Sequence, residues 1–119
     1  MQEKRRSIRV DVNNICEIKM PGLTGIEYCF LKDISILGVG FLSPEKFNKG
    51  EKADLSIVLE NKIIDVEVSI IAAYHKEQGQ NRYGAEIISI NPAAEKILED
   101  YVTIRVHENW AEKVKSLVR

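Results

Sequence analysis

At 119 residues the chain has the length of a single domain with one core, and two cores would not fit. Its 45% hydrophobic and 29% charged residues exclude a disordered or fibrous chain, and no apolar run approaches the roughly 20 residues that a membrane-spanning helix needs. The formal net charge of -1 hides an asymmetry: residues 1 to 10 carry Lys4, Arg5, Arg6 and Arg9 against Glu3 alone, so the remainder is acidic, which argues against a broad basic face for duplex nucleic acid and suits a small polyanion better.

The N-terminus is charged and lacks a following apolar signal-peptide core, so the expected compartment is the cytoplasm, with no membrane insertion. From Ile8 the pattern turns to strand. Ile8, Val10 and Val12 share one parity, Asn13-Asn14 makes a bulge or turn, and Cys16, Ile18 and Met20 continue to a stop at Pro21-Gly22. Cys16 and Cys29 form no CxxC pair or His-rich cluster and read as buried strand thiols rather than metal ligands.

A second apolar run covers Ile26 to Ile34, and Leu37-Gly38-Val39-Gly40-Phe41 reads as a turn into a short third strand closed by Pro44. After Asn48-Lys49-Gly50, the residues Leu55, Ile57 and Leu59 alternate with polar positions, and Glu60-Asn61-Lys62 makes a hairpin connection. Strict period-two alternation follows through Ile64, Val66, Val68, Ile70, Ala72 and Tyr74, which places Tyr74 with the core. Gly79-Gln80-Asn81 turns the chain into a last strand, Arg82 to Ile90.

Asn91-Pro92 starts a helix, because Asn accepts the first orphan N–H groups and Pro has its φ preset for the first helical position. Ile97, Leu98, Tyr101 and Val102 make its apolar stripe. The β-branched run Val102-Thr103-Ile104 and a capping-box pattern at Asn109 and Glu112 predict a kink or restart near His107. Trp110 and Tyr101 are expected to pack, as are Phe30, Phe41 and Tyr83. His75 and His107 have no acidic or cysteine neighbours resembling a metal site or a catalytic triad.

These elements predict a mainly β fold: a small six-stranded antiparallel barrel of split or Greek-key type with a C-terminal α-helix, and not a parallel α/β sheet. The expected organisation is a flexible arginine arm over residues 1–9, the barrel over 10–90 and a C-terminal helical segment over 91–119.

Two clusters carry the candidate chemistry, Arg5-Arg6-Ser7-Ile8-Arg9 before the first strand and Asp33-Ile34-Ser35-Ile36-Leu37-Gly38 between the second and third. Alone, the first reads as a solvated tail and the second as an Asx turn with its glycine. Together they are specific, and the sequence resembles the PilZ domain family, whose motifs are RxxxR and [D/N]xSxxG in this order. Arg5 and Arg9 match the first motif, while Asp33, Ser35 and Gly38 match the second. The resemblance extends to Tyr83-Gly84-Ala85-Glu86-Ile87 in the last strand and to the terminal helix; Ile87 stands where the family more often has Phe.

The resemblance implies a ligand, cyclic di-GMP, which offers two phosphates and two guanines. Guanidinium groups suit both: they bond phosphate oxygens bidentately and match the O6 and N7 acceptors of guanine. Arg5 and Arg9 are the expected contacts, with Arg6 as a third. Asp33, an acceptor when ionised, complements the guanine N–H edge, Ser35 adds a hydroxyl, and Gly38 supplies either a positive φ or close backbone approach. The residue before RxxxR influences ligand number in the family; here it is Lys4, a long cation that favours two stacked ligands.

The resulting expectation is a receptor and adaptor that orders its arm on the ligand and signals to an effector protein or a second copy of itself, without catalysis, cofactor or metal. The alternatives are a nucleotide-blind adaptor of the same fold, and a barrel for single-stranded nucleic acid, which the scarcity of aromatics at outward strand positions disfavours.

Overall fold

The computed structural model of the chain describes residues 8–20 and 25–117; Lys4, Arg5, Arg6 and the Pro21-Gly22 turn lie outside them. Six strands, β1 (Val10–Lys19), β2 (Glu27–Ile34), β3 (Gly38–Ser43), β4 (Lys52–Leu59), β5 (Lys62–Ala73) and β6 (Asn81–Ile90), precede one helix, α1 (Pro92–Leu117). The strands close into an antiparallel barrel in the order β1-β2-β3-β6-β5-β4, as expected for the fold class. The β3-to-β4 connection passes over the two strands between them, and β1 closes on β4 through Glu17, Ile18 and Lys19.

Alternation fills the interior. Leu55, Ile57, Ile64, Val68 and Ile70 are almost wholly buried, facing Ile18, Leu31 and Phe41 from the other side. Phe41, Phe47 and Tyr83 pack with ring centroids 5.1 to 6.2 Å apart. The Tyr83 hydroxyl accepts from the Phe47 N–H and donates to the Glu45 carbonyl, so this buried hydroxyl is paired both ways. Cys16 and Cys29 face each other across β1 and β2 as buried free thiols. Their mutual hydrogen bond and burial push the Cys29 thiol above its ordinary range, which keeps it protonated and unreactive. Ile87 is half-buried and packs against the core.

Single-residue bulges decide which side chains leave this core. In β1 the register slips between Asp11 and Asn14, where Asn13 adopts φ 55°. In β2, Leu31 pairs with Phe41 but Asp33 pairs with Gly40, so Lys32 is the extra residue. Leu31 and Ile34 therefore both stay buried while Lys32 and Asp33 both reach the surface. In β5, Ile70 pairs with Ala85 and Ala72 with Gly84, which makes Ile71 the extra residue. That slip overturns one expectation: Tyr74, placed with the core by strict alternation, is 57% exposed. Phe30 is half-buried, while Phe41 and Tyr83 are core residues as expected.

The Asn91 side chain accepts the Ala94 N–H at 2.8 Å and caps α1 as the sequence predicts. Two further expectations fail along this helix. It runs unbroken through Pro92–Leu117, with no restart at His107, and Trp110 is 65% exposed rather than packed. Val102 is buried against the barrel, and Arg105 stacks 4.6 Å over Tyr101 and pairs with Glu60 at 3.5 Å. These anchors exceed the few tenths of a kcal/mol that Thr103 and Ile104 cost as β-branched helix residues. The fully buried helix residues, from Ala94 to Val102, lie in the first half; Arg105 and Val106 still touch the barrel, and most of the helix beyond Val106 is exposed. No helix among the described residues is long and apolar enough to cross a membrane.

Candidate ligand-binding site

The β2–β3 connection is a tight turn. The Ser35 N–H donates to the Gly38 carbonyl at 2.8 Å, and the Ser35 hydroxyl oxygen accepts the N–H groups of Leu37 and Gly38 at 3.2 and 3.0 Å. Ser35 is 2% exposed, so its hydroxyl is committed to shaping this turn. Of the two uses foreseen for Gly38, close approach is the one realised, since a Cβ there would stand 2.6 Å from the Ala85 carbonyl oxygen on β6. Only a residue without Cβ lets β3 lie so near β6 at this point.

Asp33 leaves the β2 bulge with its carboxylate against Gly40, where a Cβ would fall 2.8 Å from Oδ1. The same oxygen receives the Arg9 guanidinium at 2.6 Å, an ion pair between positions 24 apart in sequence. The two motifs therefore meet, with the Arg9 side chain half-exposed and Asp33 largely covered. Arg82 approaches the other oxygen, Oδ2, at 3.4 Å. Arg82 also pairs with Glu77 at 3.0 Å, and Glu77 with Lys32 at 2.9 Å. Hydrogen bonds from Lys32 and then Arg82 hold the Glu77 carboxyl below the ordinary carboxylate value.

Arg9, Asp33, Gly40, Tyr74, Arg82, Tyr83 and Gly84 enclose a cleft of about 230 Å³. Its floor is the cross-strand pair Gly40 and Gly84, and the Tyr74 ring lies 3.4 Å from where a Gly84 Cβ would be. The cleft thus offers a bare backbone floor, a carboxylate, two guanidinium groups and one aromatic face. Sequence reasoning missed Gly40, Tyr74 and Arg82 as members of this site. Gly40 and Gly84, each one residue from a motif or an aromatic, were the only visible signal; the bulges that bring in Tyr74 leave none.

A larger cleft of about 580 Å³ lies elsewhere on the barrel, lined by Glu17, Asp54, Asp65 and Glu67 against Lys19. Four carboxylates repel a phosphate-bearing ligand, so charge selects the smaller cleft. At about 230 Å³ it is below the size of ordinary small-molecule pockets, roughly 300 Å³ and upward, and admits part of a dinucleotide.

Comparisons with known proteins bear on the fold and the family. A sequence comparison with curated proteins returns no match. Among solved structures, the chain is similar to the Bacillus subtilis inhibitor of motility MotI/DgrA, with a TM-score of 0.71 and 17% identity over 93% of this chain and 53% of that one. The chain thus spans about half the length of that protein. It is similar to the PilZ domain of Escherichia coli YcgR solved with c-di-GMP, with a TM-score of 0.71 and 14% identity over 95% of this chain and 99% of that one. It also resembles Klebsiella pneumoniae MrkH in its apo state, with a TM-score of 0.69 and 12% identity over 94% of this chain and 55% of that one. At such identities the likeness is one of fold. The PilZ domain model matches residues 3–103, which take in all six strands and α1 as far as Thr103, and the chain belongs to the PilZ domain family.

Proposed function

We propose that this protein is a cytoplasmic receptor for cyclic di-GMP that closes its N-terminal arm over the ligand and signals as an adaptor, through contacts with an effector protein or a second copy of itself. The observation that carries this reading is the Arg9–Asp33 contact at 2.6 Å, which joins the two motifs at one cleft. Support comes also from the YcgR PilZ domain, whose structure holds c-di-GMP. The cleft is too small to enclose a dinucleotide, so a receptor of this shape needs residues 1–9 as a cover. Arg5 and Arg6, with Lys4 beside them, then supply phosphate and guanine contacts from that arm, while the 10–90 barrel supplies Asp33 and the 91–119 helical segment remains available for partners.

Each part has a defined task in this reading. Asp33 accepts the guanine N–H edge, Arg9 leaves Asp33 for phosphate or for the guanine O6 and N7 pair, and Tyr74 offers a stacking face. Ser35 and Gly38 keep the turn tight so that Asp33 stays in place. The role is binding, without a reaction. Calorimetric titration with cyclic di-GMP, using GTP and cyclic di-AMP as controls, tests the reading. Saturable binding of cyclic di-GMP alone is the expected result. Heat changes no larger than those of the controls would establish the nucleotide-blind adaptor instead.

A further inference from the structure

Asp33 has two oxygens and two cations, and the cations are held differently. Arg9 sits just before β1, half-exposed, with Asp33 as its one anionic contact among the described residues. Arg82 stands on β6 inside the sheet, and its Nη1 and Nη2 reach Glu77 and Asp33 respectively. Glu77 in turn is tied to Lys32, the bulge residue next to Asp33 in sequence. The contacts Lys32–Glu77–Arg82–Asp33 therefore return to their starting point through the Lys32-Asp33 peptide. Among the described residues the Arg9 contact is open-ended, whereas the Arg82 contact is part of a closed ring.

Charges alternate along that ring and on to Arg9: positive, negative, positive, negative, positive. A ligand that draws Arg9 onto its phosphates removes the 2.6 Å partner of Oδ1 and leaves Arg82 as the cation facing Asp33 among the described residues. At 3.4 Å, Arg82 orients the carboxylate through charge more than through a strong hydrogen bond. Glu77 keeps that charge from swinging out to the solvent or to the ligand phosphates.

Resting on the cyclic di-GMP reading above, we propose that Arg82 is a positioning residue for guanine selection: braced by Glu77 and Lys32, it holds Asp33 Oδ2 while Oδ1 changes partner from Arg9 to the guanine N–H edge. Arg82 thus belongs to the specificity of the site, although it lies in neither motif. Lys32 and Glu77 act through it.

The test compares cyclic di-GMP with its inosine analogue, cyclic di-IMP, which keeps the phosphates, sugars and O6 but lacks the exocyclic amine that Asp33 accepts. Both are titrated calorimetrically into the wild type, Arg82→Ala, Arg82→Lys and Glu77→Gln, after a thermal melt of each variant. The wild type should prefer cyclic di-GMP by about ten-fold, the scale of one hydrogen bond to a charged group. Arg82→Ala should lose about ten-fold on cyclic di-GMP and little on cyclic di-IMP, so that the preference disappears, while Arg82→Lys restores most of it. Glu77→Gln should erode the preference by a smaller factor and decides the matter if Arg82→Ala fails to fold. A preference unchanged in the folded variants, or equal weakening of both ligands, overturns the role of Arg82 and leaves the receptor reading standing. A wild type that binds neither ligand overturns both.

Discussion

Three residues in or beside the cleft separate ligand binding from fold stability. Arg9 is half-exposed, and an exposed ion pair contributes about 0–1 kcal/mol to folding. Arg9→Ala should therefore shift the melting temperature little, while weakening cyclic di-GMP binding by about 1.5 to 3 kcal/mol, the scale of hydrogen bonds to charged groups. Calorimetry and a melt on the same preparation check both halves, and wild-type affinity would remove Arg9 from the site. The two nearby glycines should behave oppositely. A Cβ at Gly38 meets the Ala85 backbone carbonyl at 2.6 Å, which cannot rotate away, so Gly38→Ala should cost about 1–3 kcal/mol in denaturant unfolding. A Cβ at Gly40 meets the Asp33 side chain at 2.8 Å, which does rotate away, so Gly40→Ala should keep its stability and lose ligand affinity. Equal unfolding midpoints for the two variants would refute the distinction.

At the scale of elements, the bulges and turns do what regular strands do not. An uninterrupted β2 with Leu31 inside would turn Asp33 into the core and Ile34 out to the surface; the extra Lys32 lets Ile34 remain in the core while Asp33 and Lys32 both face outward. The β5–β6 connection between Ala73 and Asn81 narrows at the Glu77–Gln80 bridge, with Gln78 at φ 54° and Gly79 at φ 78°. It carries Glu77 back over β2 to meet Lys32. Because Lys32 and Arg82 lower the Glu77 pKa in the folded state from its ordinary 4.5, this carboxylate stabilises the fold at neutral pH. That contribution persists above the unfolded-state value and is lost as pH falls through the lowered folded one. The difference in melting temperature between wild type and Glu77→Gln should hold steady from neutral pH down to about 5 and shrink below 4.5. A difference that stayed constant down to pH 3 would show that the pair contributes nothing through ionisation.

For the molecule as a whole, the barrel is a closed sheet with the candidate cleft on its surface. The cleft opens at Arg9, just before β1, and α1 beyond Val106 is mostly exposed, Trp110 included. If the ligand is held between arm and barrel, amide exchange should slow together in residues 3–10 and 33–40 when cyclic di-GMP is added, because neither segment alone encloses it. Fixing the arm opposes binding by roughly 1–2 kcal/mol per ordered residue, so affinity should be modest for the number of contacts. Protection confined to residues 33–40 would mean that the barrel holds the ligand unaided and that the arm closes over nothing.

The sequence by itself determined the element order, the barrel, the helix start at Asn91 and the pairing of RxxxR with DxSxxG, because each rests on local rules: period-two alternation, turn residues, capping and short motifs. Only the tertiary structure decided which outward residues share the cleft. Strict alternation assigned Tyr74 to the core, yet one inserted residue at Ile71 reverses its side, and the sequence carries no mark that distinguishes such a slip from regular pairing. The unbroken α1 is likewise tertiary, since Val102, Tyr101 and Arg105 gain partners on the barrel that outweigh weak local propensity. Arg82 and Asp33 lie 49 positions apart, and their meeting depends on β3 standing between β2 and β6. Strand order is a property of the closed barrel, and no periodicity within a single strand encodes it.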